Sequence, residues 1–531
     1  MRAHRHQAII VDTWKTAVET IHRCLDAGVR EFVICAGARN ATLIEVLARA
    51  ESAGKVRLWR HFEERSAGFF ALGRTMKTAK PCAVVTTSGT AAAELLPAII
   101  EAHYQSRPLV AITADRPEAF RQSGAPQAIV QPGIFSYYAH RNKIEEWDGK
   151  GPLHLNPELG EDFAPGDENF TDSTPAEFEP AKDRLDVAAL ARWLRDDLYR
   201  GLVVMIGSLD PEEHEEVFHF CSELGAPVVA EATSGLREAL QALAIHDDDR
   251  VLRANPPGKV LRLGGVPSGR FWRDLEDLPE VSVWSICRNG LPGLARASEV
   301  TRGPLNRVIP AIGPIEAAED ALDLLHHSSA RAARIDELLE RFPDSEPALV
   351  RTISNYACLG RGLFLGNSLP IREWNSFAQW ARPMRNICAN RGANGIDGQI
   401  STWLGWTADD SETWALVGDL TALYDLAAPF VLGQMNQSGL VLAVLQNHGG
   451  GIFKNLPRLA SMSPRAAECM TNPHQAELSG LATLWGMAHL QVRRADDLDA
   501  FDPDGKVTLL EVVPDPEQTA QFWKEWATIK H

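Results

Sequence analysis

Residues 440–453 read LVLAVLQNHGGGIF. An apolar run, Leu440 to Leu445, meets Gln446, Asn447 and His448, and three glycines follow. A short continuous apolar run bounded by glycine reads as a strand buried on both faces, as in a parallel sheet. A tight turn needs one glycine or two; three in succession mark a backbone that something approaches closely.

The same punctuation occurs upstream. TWALVGD (413–419) is a strand-like run ending in Gly418-Asp419, followed by a helical stretch, LTALYDLAAPFVLGQ (420–434). In open α/β sheets, ligands bind beyond the carboxyl ends of the strands. Adjacent parallel strands would set Asp419 beside Asn447, 28 residues later. One carboxylate, one amide oxygen and a carbonyl from the glycine run form a hard oxygen site. That set suits Mg2+, which takes phosphate oxygens for its remaining positions. A helix starting near Leu420 offers free N–H groups to a phosphate. The glycines let the backbone close around a diphosphate. Either half alone reads equally well as a strand–turn–helix with an N-capping aspartate; together they point to a site.

Alternation of strand and helix runs through most of the 531 residues. REFVICAG (30–37), VRLWRHF (56–62), PCAVVTTSG (81–89) and RPLVAITADRP (107–117) are separated by helical stretches, the βαβαβ pattern of a parallel sheet. Residues 158–183 hold nine acidic residues against one lysine, with several prolines and glycines, and read as an interdomain linker. Alternation resumes with GLVVMIGS, APVVAEA, KVLRLGG and EVSVWSI, none followed by G-x-G-x-x-G, so a dinucleotide is not indicated. RFPDSEP (341–347) marks a further boundary. The expected fold is α/β in three domains, 1–183, 184–345 and 346–531, each a mostly parallel sheet flanked by helices.

Composition agrees with a soluble globular chain: 45% hydrophobic and 23% charged. A net charge of −17 argues against sequence-independent nucleic-acid binding and requires that any anionic ligand be met by local arginines. No apolar run approaches the ~20 residues of a membrane span, and the first residues, MRAHRHQAIIVDTW, lack a signal-peptide core. Eight scattered cysteines without C-x-x-C read as reduced thiols of a cytoplasmic protein.

HFEERSAGFFALG (61–73) puts Glu63 and Glu64 at a strand end entering a helix. An acid there complements the helix dipole, which accounts for one of them. The other adjoins a small, apolar stretch that should be buried. A buried glutamate needs a partner, and a ligand nitrogen is one candidate.

GDLTALYDL (418–426) followed by LQNHGGGIF resembles the diphosphate–Mg2+ motif of thiamine-diphosphate enzymes, and FEERSAGFFALG resembles the segment with their cofactor-activating glutamate. More narrowly, TTSGTAAAELLPAIIEA (86–102), TADRPEAFRQSGAPQAI (113–129), GNSLPIRE (366–373), NRGANGIDGQISTWLG (390–405) and GGGIFKNLP (449–457) resemble one branch of that family. This branch comprises the menaquinone-biosynthesis synthases that join 2-oxoglutarate to isochorismate. The motifs cover most of the first and last domains; the middle domain matches in general α/β character only.

The resemblance implies pyrimidine-binding, central and diphosphate-binding domains in a homodimer or homotetramer, with the active site between subunits. It implies a transferase that decarboxylates 2-oxoglutarate on thiamine diphosphate and adds the succinyl-semialdehyde carbanion equivalent to isochorismate. On that reading Glu64 hydrogen-bonds the pyrimidine ring and favours the tautomer that removes the thiazolium proton. Asp419, Asn447 and the Gly449 carbonyl hold Mg2+ (or Mn2+). Gly418, Leu420, Thr421, Gly450 and Ser368 line the cofactor, and Ile396 supports its bent shape. Both substrates are dicarboxylates, which the planar fork of arginine binds well. The matching positions supply Arg39, Arg116, Arg372 and Arg391, with Gln127, Asn367 and Ser368 as neutral partners and Arg270 from the middle domain. Arg116, Arg391 and Ser368 also lie closest to the chemistry, and Ile452, Phe453 and Leu456 form an apolar wall. For a lone arginine, a surface ion pair is the simpler account. His61 and His448 are read as structural.

Several positions depart from the family. Ala38 stands where a serine is usual, Pro126 and Asn394 replace asparagine and serine, and Gln446 and His448 flank Asn447. DGKG (148–151) leads straight into PLHLN, too short for a parallel crossover. A hairpin-like turn, or a strand that leaves the sheet, is therefore expected at that edge. These changes leave room for a decarboxylase or carboligase with another acceptor. Intact Glu64, Asp419 and Asn447 speak against a non-catalytic scaffold.

Overall fold

The computed structural model describes residues 12–141, 143–167, 170, 187–196, 201–318, 322–436, 438–456, 459, 461–502 and 507–529. Residues 1–11, which open the chain, lie outside that set. Two compact units are formed. The first takes Met1–Lys182 with two later pieces, Gly392–Asp409 and Asp425–Asn436; the second takes Asp183–Arg391, Asp410–Tyr424 and Gln437–His531.

The first unit is built on β1 (Glu31–Cys35), β2 (Arg57–His61), β3 (Cys82–Thr86), β4 (Leu109–Thr113), β5 (His140–Arg141) and β6 (Leu153–Leu155). Their order is β2-β1-β3-β4-β6-β5, and every ladder is parallel. β3 and β4 are buried along their whole length, as the continuous apolar runs CAVVT and LVAIT require. The expected break at the DGKG edge does not occur: β6 stays in the sheet between β4 and β5. The preceding strand ends at Arg141, not near Trp147, so the connection is 11 residues long, from 142 to 152. It includes the 3-10 turn Ile144–Glu146 and buries Ile144 and Trp147. That length meets the minimum for a parallel crossover of roughly a dozen residues.

The helix Glu64–Thr78 of this unit packs backbone to backbone against the helix Gln399–Thr407. A Cβ on Gly73 would lie 2.1 Å from the Thr402 carbonyl oxygen, and one on Gly405 2.0 Å from that of Phe70. Buried Asp425 accepts from Ser66 Oγ at 3.1 Å and from Ser401 N and Oγ at 2.7 and 2.9 Å. The helix expected over 420–434 therefore divides: Asp419–Tyr424 is helical, Asp425 turns inward, and Ala428–Gln434 is 3-10. Part of the acidic stretch also packs on this unit. Asp115 bridges to Glu158, Leu159 is buried, and Gly166 accepts from Arg49 Nη1 at 2.7 Å. Residues 168–169 and 171–183 lie outside the described set.

The second unit carries two sheets. One orders β7 (Leu202–Ile206), β8 (Val228–Ala230), β9 (Lys259–Leu263), β10 (Ser282–Cys287) and β11 (Glu299–Arg302) as β11-β10-β9-β7-β8. The other comprises β12 (Gly362–Leu365), β13 (Ile387–Cys388), β14 (Thr413–Gly418), β15 (Val441–Leu445), β16 (Ala488–Val492) and β17 (Thr508–Val512). Its order is β13-β12-β14-β15-β17-β16. All ladders in both sheets are parallel. In the register of β14 on β15, Gly418 faces Leu445, so Asp419 and Asn447 both lie just past the carboxyl ends. No helix among the described residues is long and apolar enough to cross a membrane.

Candidate active site

Two constellations form, one in each unit. In the first unit the twin acids divide their work. Glu63 caps the helix Glu64–Thr78, accepting from Arg65 N at 3.2 Å and Ser66 N at 2.9 Å. Glu64 is left half-buried with no capping role. Burial pushes its carboxyl above the usual range, and the Glu63 and Glu94 charges add to the rise.

The loops after β1, β3 and β4 hold each other in place. A Cβ on Gly37 would lie 2.5 Å from Thr87 Cβ, and one on Gly89 3.2 Å from Gln127 Cα. Gln131 is wholly buried, accepting Gly89 N–H at 3.1 Å and donating to the Thr113 and Ala114 carbonyls. Thr87 Oγ1 and Ser88 Oγ are buried there without partners. Arg39 and Arg116 come together on one carboxylate. Arg39 Nη2 and Arg116 Nη1 reach Glu161 Oε1 at 3.2 and 3.0 Å. Exposed Glu161 is held below its usual range by these two bonds. Arg116 Nε also donates to the carbonyl of Pro126, and Gln127 is exposed. Buried Glu101 receives the N–H groups of Gly392 and Ala393 at 2.6 and 2.7 Å, fixing the start of the segment that carries Ile396.

In the second unit Asp419 is 2% exposed. Its Oδ2 accepts Gly449 N–H at 2.9 Å and its Oδ1 accepts Leu420 N–H at 2.6 Å. Burial raises its carboxyl, opposed by these two N–H groups and by His474. His474 Nε2 lies 3.2 Å from Asp419 Oδ2. Its Nδ1 accepts Ala476 N–H at 3.2 Å. Asn447 Nδ2 donates to both oxygens of Glu346 at 3.0 and 3.2 Å, while its Oδ1 is buried without a partner. Burial, with the Asp419 charge nearby, raises the Glu346 carboxyl, opposed by the bond from Asn447 and by the Lys454 charge. Among the described residues no group of three or more His, Cys, Asp or Glu forms a metal cluster. The oxygens available are instead mixed: carboxylate, amide and backbone carbonyl. The orphaned Asn447 Oδ1, on the loop that Asp419 holds at Gly449, fits a hard divalent cation.

Each glycine of the run has its own reason. Gly449, at φ +140°, would place a Cβ 2.5 Å from the Thr471 carbonyl; Gly450 meets the Phe453 ring, and Gly451 meets Asn447 Nδ2 at 2.8 Å. The Gly449 carbonyl accepts Gly451 N–H at 2.9 Å and keeps a second lone pair. His448 adopts φ +60° with its ring edge-on to His474 at 5.9 Å.

Arg391 Nη1 donates to Asn367 Oδ1 at 2.9 Å, and Asn367 Nδ2 to the Asn390 carbonyl at 2.7 Å. Arg372 donates to the Ser368 carbonyl, and burial together with Arg391 lowers its pKa. Ser368 sits at φ +72°, a strained conformation for a non-glycine residue. A cavity of about 1930 Å3 in this unit is lined by Arg270, Arg372, Asn447, Ile452, Phe453 and Leu456. Arg270 is paired with Asp274 at 2.7 Å. Thr421 is buried, and nothing lies within 4 Å of a Cβ placed on Gly418. Glu346 and Gln131 escape motif reading, because each acts by holding a backbone or an amide and not by belonging to a run; Glu101 lies inside a quoted motif, but its hold on Gly392 and Ala393 shows only in space.

Residues 15–134 match the family model of the thiamine pyrophosphate enzyme N-terminal TPP-binding domain. The benzoylformate decarboxylase of Polynucleobacter necessarius shares the fold, with a TM-score of 0.70 over 94% of this chain and 98% of that one, at 12% identity. The matched segment is thus that of the thiamine-pyrophosphate enzymes.

Curated relatives narrow the class. A 2-succinyl-5-enolpyruvyl-6-hydroxy-3-cyclohexene-1-carboxylate synthase of Akkermansia muciniphila is 48% identical over 94% of this chain and 96% of its own length. One of Bdellovibrio bacteriovorus is 37% identical over 96% and 98%. The chain belongs to the 2-succinyl-5-enolpyruvyl-6-hydroxy-3-cyclohexene-1-carboxylate synthase family.

Proposed function

We propose that this enzyme is a transferase that decarboxylates 2-oxoglutarate and joins the remaining four-carbon unit to isochorismate, in menaquinone biosynthesis. Bound thiamine diphosphate would supply the electron sink for loss of CO2. Asp419, Asn447 and the Gly449 carbonyl would hold Mg2+ or Mn2+, with Gly418, Leu420, Thr421 and Gly450 lining the diphosphate. The observation that carries this reading is the buried, unpartnered Asn447 Oδ1 on the loop that Asp419 holds at Gly449.

Glu64, its carboxyl raised by burial, offers a proton-sharing partner to a ring nitrogen. Arg372 and Arg391, near enough for mutual repulsion to lower the Arg372 pKa, can bind a dianion together. Arg39, Arg116, Gln127, Asn367, Ser368 and Arg270 complete the carboxylate-binding set, with Arg116, Arg391 and Ser368 nearest the reacting carbons. Ile396, Ile452, Phe453 and Leu456 exclude water. Functionally, 1–183 is the pyrimidine side, 184–345 the central domain and 346–531 the diphosphate side. The working assembly is a homodimer or homotetramer in which Glu64 meets the metal ligands of a second copy. Free thiols, five of the eight cysteines buried, suit the reducing cytoplasm.

The test combines protein, Mg2+, thiamine diphosphate, 2-oxoglutarate and isochorismate, with products identified by mass spectrometry. Consumption of both substrates with CO2 release is expected. CO2 without isochorismate consumption would mean another acceptor, and Ala38 is where that difference would lie. Inertness toward every 2-oxo acid would overturn the proposal.

A further inference from the structure

We propose that Glu346 is a positioning residue: it decides which end of the Asn447 amide faces the metal. The inference rests on Asn447 being a ligand, as read above. An amide has a donor end and an acceptor end, whereas a carboxylate only accepts. Both Glu346 oxygens take the Nδ2 end, at 3.0 and 3.2 Å, so Oδ1 is turned the other way, where it is buried without a partner. A cation needs that oxygen and is repelled by the NH2 end.

Glu346 is itself held firmly. It opens the helix Glu346–Ala357, behind the N-cap Ser345 and before Pro347. Its own N–H donates to Thr519 Oγ1 at 3.0 Å, and it is 3% exposed. The Lys454 charge offsets part of its own, but among the described residues no lysine or arginine forms an ion pair with it. Both of its oxygens are taken up by the Asn447 amide.

The isosteric variant separates this role from packing. Because both carboxylate oxygens lie within 3.2 Å of Nδ2, Glu346→Gln keeps one acceptor and sets one donor against it. Either orientation of the Asn447 amide then makes one bond and one like-to-like contact, so the preference that turns Oδ1 toward the metal is lost. Binding of Mn2+ to the full chain with thiamine diphosphate, followed by electron paramagnetic resonance, reads this directly. Glu346→Gln and Glu346→Ala are each expected to weaken Mn2+ by about tenfold or more, the size usual for residues that orient a ligand. Asn447→Ala should weaken it at least as much, and adding Glu346→Ala to it should change little.

If Asn447→Ala weakens Mn2+ while Glu346→Gln stays within about twofold of wild type, the positioning role is wrong and the ligand reading stands. If Asn447→Ala binds like wild type, the ligand reading fails and the positioning role with it. Should Glu346→Ala not fold, the isosteric Glu346→Gln decides alone.

Discussion

Asp419 Oδ2 accepts the Gly449 N–H at 2.9 Å, a bond that ties together the chain leaving β14 and the chain leaving β15. One side chain thus serves as a proposed metal ligand and holds the loop proposed to supply the third oxygen. Asp419→Ala should abolish turnover and remove the rise in melting temperature given by thiamine diphosphate with Mg2+. In wild type, ligand at a hundred times its dissociation constant should stabilise by about 2.7 kcal/mol. Scanning calorimetry with and without cofactor checks both.

Glu63 and Glu64 should separate cleanly. Glu63→Ala loses two N-cap bonds and should cost about 1 kcal/mol of stability with cofactor activation intact. Glu64→Gln should leave stability nearly unchanged and lower kcat by about 10²-fold or more. Urea titrations and steady-state kinetics on both variants distinguish capping from catalysis.

Arg39 and Arg116 share Glu161, an exposed carboxylate of the chain itself. If the two arginines bind substrate as proposed, a substrate carboxylate competes with it. Arg116→Ala should raise the KM for a dicarboxylate substrate by about tenfold or more, a charge-assisted hydrogen bond being worth ~1.5–3 kcal/mol. Glu161→Gln should lower that KM. An unchanged KM in both variants would remove these arginines from the binding set.

Glycines at the two strand ends should behave oppositely. Gly449→Ala drives a Cβ to 2.5 Å from the Thr471 carbonyl at φ +140°, and a loss of about 3 kcal/mol or failure to fold is expected. Gly418→Ala meets nothing within 4 Å. It should fold normally yet bind thiamine diphosphate weakly, since the new methyl group enters the cofactor's space. Thermal melts and cofactor titration read the two effects.

His154 predicts an acid-labile first unit. Burial, assisted by the Arg141 charge, lowers its pKa from 6.5 to about 4. Its Nε2 lies 2.7 Å from Thr113 Oγ1, and the Phe135 ring packs on it at 4.6 Å. A depressed histidine favours the fold while neutral, so its contribution is complete above 6.5 and is lost as pH falls toward 4. By pH 5 the loss should be on the order of 2 kcal/mol. His154→Gln should flatten the stability profile between pH 7 and 5, measured by urea unfolding.

Much of this was legible because buried parallel strands announce themselves. CAVVT, LVAIT, TWALVG and VLAVL are apolar on both faces and end in the residues that form the site. Edge strands carry no such mark. β11 (EVTR) and β16 (AHLQV) are largely solvated, so their sequences show no apolar run. The connection before β6 reads as too short in the sequence because β5 is only two exposed residues, His140 and Arg141. The break at Asp425 follows from Ser66 and Ser401, partners distant in sequence or visible only in space. Glu346 was hidden for a similar reason: a lone acid after Ser345 reads as a helix start, and its bond to Asn447 spans 101 residues.

The threading of the first unit bears on how the protein is made. Its sheet is complete by β6, yet the helix that closes on Gly73 and Phe70 arrives only with Gln399–Thr407, and Asp425 later still. Synthesis proceeds from the N-terminus, and domains generally fold as they emerge. Here the nascent first unit must wait, with the surface around Phe69 and Phe70 uncovered, until about three-quarters of the polypeptide has left the ribosome. A fragment ending at the acidic stretch would therefore be an unfinished body, dependent on chaperones and prone to aggregate, and the gene could not be split there without supplying the missing helix in trans.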